Sequence, residues 1–459
     1  MKKYGAIVIG SGCGANIVDE ATAHGLKVAL VDKGPLGGTC PNLGCIPSKM
    51  LIYAADRIVE IQEARKLGIA AEVQNIDFDF IMGRMRKFVQ ENQDQIRHEI
   101  SHTDNLDFYE GEGHFVSDYT IEVKGETIKG DKVFIASGSR PLIPPIKGLD
   151  KVDYLTNETV LQLKERPDSL VIIGGGYIAV EYGHFFAAMG TKVTIIEMAD
   201  RLVLSEEPEM AALLKEELSK RMDIYTGTLA EEVRGNTNGV TVVVKNKETG
   251  KEREFTAQRI LVAVGRKSNA DLAKVENSGI ELDARGFIKV NEYLETTKKN
   301  IWAVGDVIGR QMFTHVANRE ASTAAHSALH NAKLKMDYSA APHAVYSHPQ
   351  IAAVGLGEEK ARKEHKILIG RARYWDVARG EAMMEERGFA KAIVEKDTGK
   401  ILGFHIIGPE APTLIQEVIN AMASGGHINQ LNAGMHIHPA LPELILRTLS
   451  NLEEPGTQQ

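Results

Sequence analysis

Two stretches of the chain carry the same order of apolar and polar positions. The first, from Tyr4, runs YGAIVIGSGCGANIVDEATAHGLKVALVDK, and the second, from Ser169, runs SLVIIGGGYIAVEYGHFFAAMGTKVTIIEM. Each opens on a short continuous apolar run, which predicts a buried strand. A glycine-rich turn follows, then a helical pattern closing at Gly25 or Gly190, then a second apolar run that ends in an acid. Glycine at the close of each helix predicts a left-handed cap. The whole is strand, turn, helix, strand, written twice.

The turns read Gly10-x-Gly12-x-x-Ala15 and Gly174-x-Gly176-x-x-Ala179. In such a turn the first glycine bends the chain and the second lets backbone approach a pyrophosphate. The third, small residue lets the helix pack on the strand. The helix start then offers free N–H groups and the positive end of its dipole. Asp32 and Glu197 lie 22 and 23 residues past the first glycines, positioned for ribose hydroxyls. One such turn is a weak signal; two, each between strands and each followed by an acid, predict two dinucleotide sites. The carboxylate of Glu197 favours a free 2′-hydroxyl, so NAD(H) is expected over NADP(H), a preference that nearby Arg201 could blunt.

With 459 residues the chain is long enough for about three domains. A net charge of −8 argues against a nucleic-acid partner, and no apolar run approaches the roughly 20 residues of a membrane helix. Met1-Lys2-Lys3 reads as the start of a strand, not of a leader. Three cysteines exclude a disulfide scaffold and make the cytoplasm the default compartment.

Directly after the first repeat comes Gly37-Gly38-Thr39-Cys40-Pro41-Asn42-Leu43-Gly44-Cys45-Ile46-Pro47-Ser48-Lys49. Helical spacing resumes downstream, with Pro47 suited to a first turn. Cys45 is thus expected at a helix start, where the dipole favours thiolate, and Cys40 is the freer sulfur for exchange. A zinc site needs about four ligands, and no second cysteine pair exists, so no metal is expected. A bare C-x4-C could also be two inert buried cysteines; the flanking Gly-Gly-Thr and Ile-Pro-Ser-Lys argue otherwise.

This block resembles the active-site signature of the class I pyridine nucleotide–disulfide oxidoreductases, the family that includes dihydrolipoamide dehydrogenase, glutathione reductase and mycothione reductase. The resemblance covers essentially the whole chain. It implies an α/β fold with two Rossmann-like dinucleotide-binding domains, for FAD and NAD, plus a C-terminal α+β dimerisation domain. The expected boundaries are 1–150 and 273–336 for the FAD domain, 151–272 for the NAD(P) domain and 337–459 for dimerisation. It further implies that Cys40 exchanges with substrate and Cys45 faces the flavin. FAD would be held by the first turn with Asp32 and Lys33, by Gly38 and Thr39, and by Ser137 and Gly138. Gly305 and Asp306 of the second FAD motif and the helix start Phe313-Thr314-His315 complete that set. Gly265 and Arg266 lie at a domain crossover, where Arg266 is read as structural. Tyr177 is either a lid on the nicotinamide pocket or a surface aromatic. Glu181 would pair with Lys49 near the flavin.

At the far end, His436-Ile-His438-Pro439-Ala-Leu-Pro-Glu443 carries the expected acid/base pair. Glu443, inside a helix begun by Pro439, would reach back to one nitrogen of His438 and leave the other to move the thiol proton. In the family this histidine serves the other subunit's cysteines, which implies a homodimer. The family pattern is His-Pro-Thr-x-Ser-Glu; Ala440 and Pro442 depart from it in the manner associated with mycothione reductase.

The expected activity is oxidation of dihydrolipoamide by NAD+, free or on a lipoyl-bearing protein. The alternative is an NAD(P)H-dependent reductase of a low-molecular-weight disulfide, and a third reading is a flavin electron relay without substrate. Cys13, in the first turn, is read as a small filler.

Overall fold

The computed structural model describes residues 1–236 and 239–456. Residues 237 and 238 of the expected NAD(P) domain and 457–459 of the expected dimerisation domain lie outside the described residues. The chain divides into two compact units.

Unit one comprises Met1–Ser48, Met82–Leu142 and Gly265–Met336. Its sheet runs in the order Leu106–Glu110, Val28–Asp32, Lys2–Ile9, Glu126–Ile135, Thr120–Val123, Gly113–Ser117. The first four strands are parallel, and Ile301–Ala303 joins in parallel at the end of Glu126–Ile135. The last two are antiparallel. Ile7, Val8, Leu30 and Phe134 are fully buried, which explains why these strands read as continuous apolar runs. Trp302 stacks on Phe134 with ring centroids 5.1 Å apart. The helix Gly14–Ala23 covers the sheet through Ile17, Val18 and Ala21. It packs against a second helix, Thr314–Leu329, whose Ala321, Ala324 and Ala325 are fully buried.

Unit two comprises Lys49–Ile81, Ile143–Val264 and Asp337–Gln459. A four-stranded parallel sheet has the order Asp223–Tyr225, Lys192–Ile196, Ser169–Ile173, Arg259–Val262. A three-stranded antiparallel sheet is built from Thr228–Asn236, Gly239–Asn246 and Glu252–Ala257. The helix Tyr177–Ala188 is buried on nearly all sides, so its sequence is mostly apolar, with Glu181 and His184 as buried polar exceptions. The C-terminal part is a five-stranded antiparallel sheet, Pro342–Val345, Ile351–Gly355, Ile401–Ile407, Phe389–Glu395, Ile367–Arg373. Helices Ala411–Ala423 and Glu443–Ser450 bury Leu414, Val418, Leu444 and Ile445 in the core around Phe404 and Ile406. This is the expected mixture of two parallel α/β halves and a C-terminal α+β sheet. Among the described residues no helix is long and apolar enough to cross a membrane.

Candidate functional site

The register of unit one brings the carboxyl ends of its parallel strands, at Ile9, Asp32 and Ile135, to one edge. Ligands of open α/β sheets bind at such an edge. Gly10 turns there with φ 103°, and a Cβ on it would stand 2.2 Å from the Ala136 carbonyl oxygen, so only glycine fits. The Asp32 carboxylate accepts from the backbone N–H of Ser11 at 2.5 Å and of Gly34 at 2.7 Å. It therefore ties the turn to the loop that leads to the cysteines. Gly37 N–H donates to Ser11 Oγ at 2.9 Å, and a Cβ on Gly38 would lie 2.8 Å from Gly12 Cα. Glycine at 12 and 38 thus leaves two backbones in contact with no side chain between them.

The small third residue works differently from the sequence expectation. Ala15 is exposed; Gly14 makes the close approach, its missing Cβ being 2.8 Å from Val8 Cγ1. The rotation at which the helix docks on the sheet selects that neighbour. In the second turn Ala179 is fully buried, as the motif requires. Lys33 lies at the surface, paired with Glu112 at 3.1 Å.

Three features make this edge fit FAD. Neither Gly14–Ala23 nor Thr314–Leu329 has a side-chain cap among the described residues, their N-caps being Cys13 and Phe313. The first turn of such a helix presents N–H groups and the positive end of its dipole to an anion. In Gly14–Ala23 the N–H groups of Ala15 and Asn16 also reach the Gly12 and Cys13 carbonyls, both at 3.2 Å. Ser137 Oγ is buried and has no hydrogen-bond partner among the described residues, beside Gly138 in the left-handed region at φ 68°. Asp306 is partly exposed, and its Oδ2 takes Ser139 Oγ at 2.5 Å and Arg266 Nε at 3.3 Å. Arg266 also donates to the Ser139 carbonyl at 2.9 Å, closing the pair of short strands Ser139–Pro141 and Arg266–Ser268. Gly265, with φ 134°, accepts from Leu142 N–H at 3.0 Å just before it.

Gly305 N–H donates to Glu320 Oε2 at 2.6 Å, and Glu320 is fully buried. This carboxylate anchors the second FAD motif to the helix Thr314–Leu329, a link that sequence spacing did not reveal. Cys13 Sγ lies 3.2 Å from where a Gly305 Cβ would be. Burial first, then Glu320 and Asp306, pushes the Cys13 thiol up to about 12, so it stays protonated and fills space.

Cys40 lies in the short helix Thr39–Leu43, and Cys45 is the first residue of the helix Cys45–Glu63. Buried Asn42 donates through Nδ2 to the carbonyls of Leu36 and Gly38, both at 2.7 Å, and pins the loop between the cysteines. Cys45 is exposed, with Sγ 3.6 Å from Thr314 Oγ1. The His315 ring stacks on Phe313 at 5.8 Å.

In unit two, Gly174 turns with φ 116°, a Cβ there falling 2.3 Å from the Ala263 carbonyl oxygen. Gly176 is the N-cap and Tyr177 the first residue of the buried helix, again with no side-chain cap among the described residues. Glu197 Oε1 accepts from Ala199 N–H at 2.6 Å. Its side chain lies against the turn, since a Cβ on Gly175 would meet it at 2.7–2.8 Å. Arg201 Nη2 reaches the Leu204 carbonyl at 3.4 Å. Glu181, 4 % exposed, binds Lys49 Nζ through Oε2 at 2.7 Å and Tyr346 N–H through Oε1 at 3.0 Å. Lys49 Nζ also sits 4.8 Å from the centroid of the Tyr346 ring, a partner that sequence reading missed.

His438 and Glu443 meet as expected: Nδ1 lies 2.9 Å from Oε1. The helix, however, begins at Glu443 with Pro442 as N-cap, not at Pro439. From that first position the second carboxylate oxygen takes Ala440 N–H at 3.0 Å. The Ala440 N–H first, and His438 second, hold Glu443 below the usual carboxylate range. His438 is 72 % exposed and follows exposed Met435 and Ile437 in the chain.

A two-turn dinucleotide framework, a C-x4-C pair at a helix start and a His–Glu pair on a separate α+β sheet now stand together in one chain. The family model for pyridine nucleotide-disulphide oxidoreductases matches residues 4–321, and that for their dimerisation domain matches 341–448. This chain belongs to the pyridine nucleotide-disulphide oxidoreductase family. It is an FAD-dependent flavoprotein disulfide oxidoreductase, of a family that uses FAD with NAD(P)H and carries its own dimerisation domain. Mycothione reductase of Mycobacterium tuberculosis is 34 % identical over 98 % of this chain and 100 % of its own length. Dihydrolipoyl dehydrogenase of Geobacillus stearothermophilus is 35 % identical over 96 % of this chain and 94 % of its own. Among solved structures, the HOCl-induced flavoprotein disulfide reductase RclA from Escherichia coli superposes with a TM-score of 0.86 at 30 % identity. That match covers 97 % of this flavoprotein and 99 % of the other chain.

Proposed function

We propose that this flavoprotein oxidises dihydrolipoamide with NAD+, through Cys40 and Cys45, as a homodimer. The observation that carries the reading is Glu197. Its carboxylate lies over the second glycine turn, where it favours a free ribose 2′-hydroxyl and repels a 2′-phosphate. The similarity to dihydrolipoyl dehydrogenase along nearly the whole chain supports the same substrate.

FAD, held by the Gly10–Gly12 turn, Asp32, Gly38, Thr39, Ser137, Asp306 and the helix start at Thr314, supplies two-electron exchange between the cysteine pair and the nicotinamide. The residues of the chain do the rest. A substrate thiolate attacks Cys40; a bond forms between the two sulfurs as the Cys40–Cys45 bond breaks, and Cys45 leaves as thiolate. The helix start at Cys45 and the Thr314 hydroxyl stabilise that charge. The second substrate thiolate then displaces Cys40, so substrate leaves as a disulfide and the cysteine pair is left reduced. His438 takes the substrate proton through Nε2, because Glu443 holds Nδ1. Exposed Met435 and Ile437, just before His438, suit a surface covered by a second copy, whose cysteines this histidine would serve.

A second reading, reduction of a low-molecular-weight disulfide by NAD(P)H, is favoured by Ala440 and Pro442 and by the similarity to mycothione reductase. A turnover panel separates the two: dihydrolipoamide, glutathione, coenzyme A and mycothiol-type disulfides, each with NAD(H) and NADP(H). The primary reading expects dihydrolipoamide with NAD+ to exceed every other pair by at least about tenfold in kcat/KM, about 1.4 kcal/mol in transition-state binding. Preference for a mycothiol-type disulfide with NADPH would overturn it.

A further inference from the structure

The helices Gly14–Ala23 and Thr314–Leu329 start at the expected FAD edge, and their far ends bring together four residues outside the redox chemistry. His326 and His330 are four residues apart on one helix, and Glu20 and His24 are four apart on the other. That spacing puts each pair on one helix face. Glu20 Oε1 lies 3.9 Å from His326 Nδ1 and 3.7 Å from His330 Nε2, and all three ligand atoms fall within 4.8 Å of one another. The His326 and His330 rings are 4.4 Å apart. His24 stands edge-on to His330 at 4.5 Å, its Nδ1–H donating to the Glu20 carbonyl at 2.8 Å.

We propose that Glu20, His326 and His330 form a binding site for a divalent cation of the zinc–copper class. Tetrahedral zinc with bonds of about 2.0–2.1 Å requires ligand atoms about 3.4 Å apart. The observed separations from Glu20 exceed that by only a few tenths of an ångström. The side chains are 25 %, 49 % and 42 % exposed, so they can close that gap by small rotations and water can complete the coordination. Two imidazoles with one carboxylate suit Zn2+, and Cu2+ more strongly by the usual affinity order. Mg2+ and Ca2+, which want oxygen ligands, are excluded. A bound ion would tie the far ends of two helices whose starts face the dinucleotide edge.

The test uses flavin-loaded, chelator-treated protein with Cys40→Ser and Cys45→Ser, so that thiols cannot bind metal. Calorimetric titration with ZnCl2, and separately CuCl2 and MgCl2, is expected to show one Zn2+ or Cu2+ per chain and no Mg2+. His326→Ala or His330→Ala is expected to weaken Zn2+ by at least about tenfold, and Glu20→Gln by less, with flavin content unchanged. Both histidines are half exposed, so these variants fold; circular dichroism and flavin content check it. Unaltered Zn2+ affinity in the His326→Ala/His330→Ala double variant overturns the proposal, as does the absence of saturable binding. Binding that disappears only when His436 and His438 are replaced also overturns it.

Discussion

Replacing Glu181 with alanine tests whether the Lys49 pair holds unit two together. The carboxylate is 4 % exposed and serves two partners, Lys49 Nζ at 2.7 Å and Tyr346 N–H at 3.0 Å. Its removal breaks a charge-assisted hydrogen bond, about 1.5–3 kcal/mol, and strands a backbone N–H, about 1–3 kcal/mol. Lys49 is 32 % exposed and keeps the face of Tyr346 at 4.8 Å, so solvent and ring offset part of the first loss. The expected cost is about 3 kcal/mol. Glu181→Gln retains one acceptor oxygen and should cost about half as much. A double-mutant cycle with Lys49→Met should return a coupling of about 1.5 kcal/mol. The assay is thermal unfolding of flavin-loaded protein followed by circular dichroism, with a drop of about 6 °C expected for Glu181→Ala. A melting temperature within about 1 °C of the parent, or additivity in the cycle, would refute the reasoning.

Gly38→Ala is expected to reduce FAD affinity by at least about tenfold. Its Cβ would press 2.8 Å from Gly12 Cα at φ 74°, adding a left-handed cost of about 1–2 kcal/mol. Gly25→Ala, at the same φ with nothing within 4 Å, should lose a similar backbone cost yet keep the flavin; equal flavin loss in both contradicts this account. For His438→Gln, thiol exchange should fall about 10²–10⁴-fold while NADH still bleaches the flavin at the parent rate in stopped flow. Because Glu443 is held below its ordinary value of 4.5, its contribution is present above that pH and lost as pH falls through its lowered folded value. Nitrogen NMR of His438 should therefore show the Nδ1–H bond intact at about pH 5. Its disappearance there counts against the assignment.

Much of the redox and dinucleotide chemistry was legible in the amino-acid order because its geometry is local. A turn at Gly10 or Gly174 needs glycine because the chain there takes φ 103° or 116°, a demand of the turn itself that the distant Ala136 and Ala263 carbonyls only reinforce. The Cys40–Cys45 segment and the His438–Glu443 pair each span only a few residues. Contacts between distant segments were not legible. Nothing local joins Lys391 to Glu209 and Glu358, yet packing buries that lysine at 1 % exposure and brings them to 3.0 and 2.6 Å. Glu320 on Gly305, Tyr346 on Lys49, and Glu20 beside His326 and His330 likewise wait on how helices dock. The same cause moved the close contact from Ala15 to Gly14 and the last helix start from Pro439 to Glu443. Sequence periodicity says that a helix has a buried face, but the rotation that best fills the sheet beneath it decides which residue touches what.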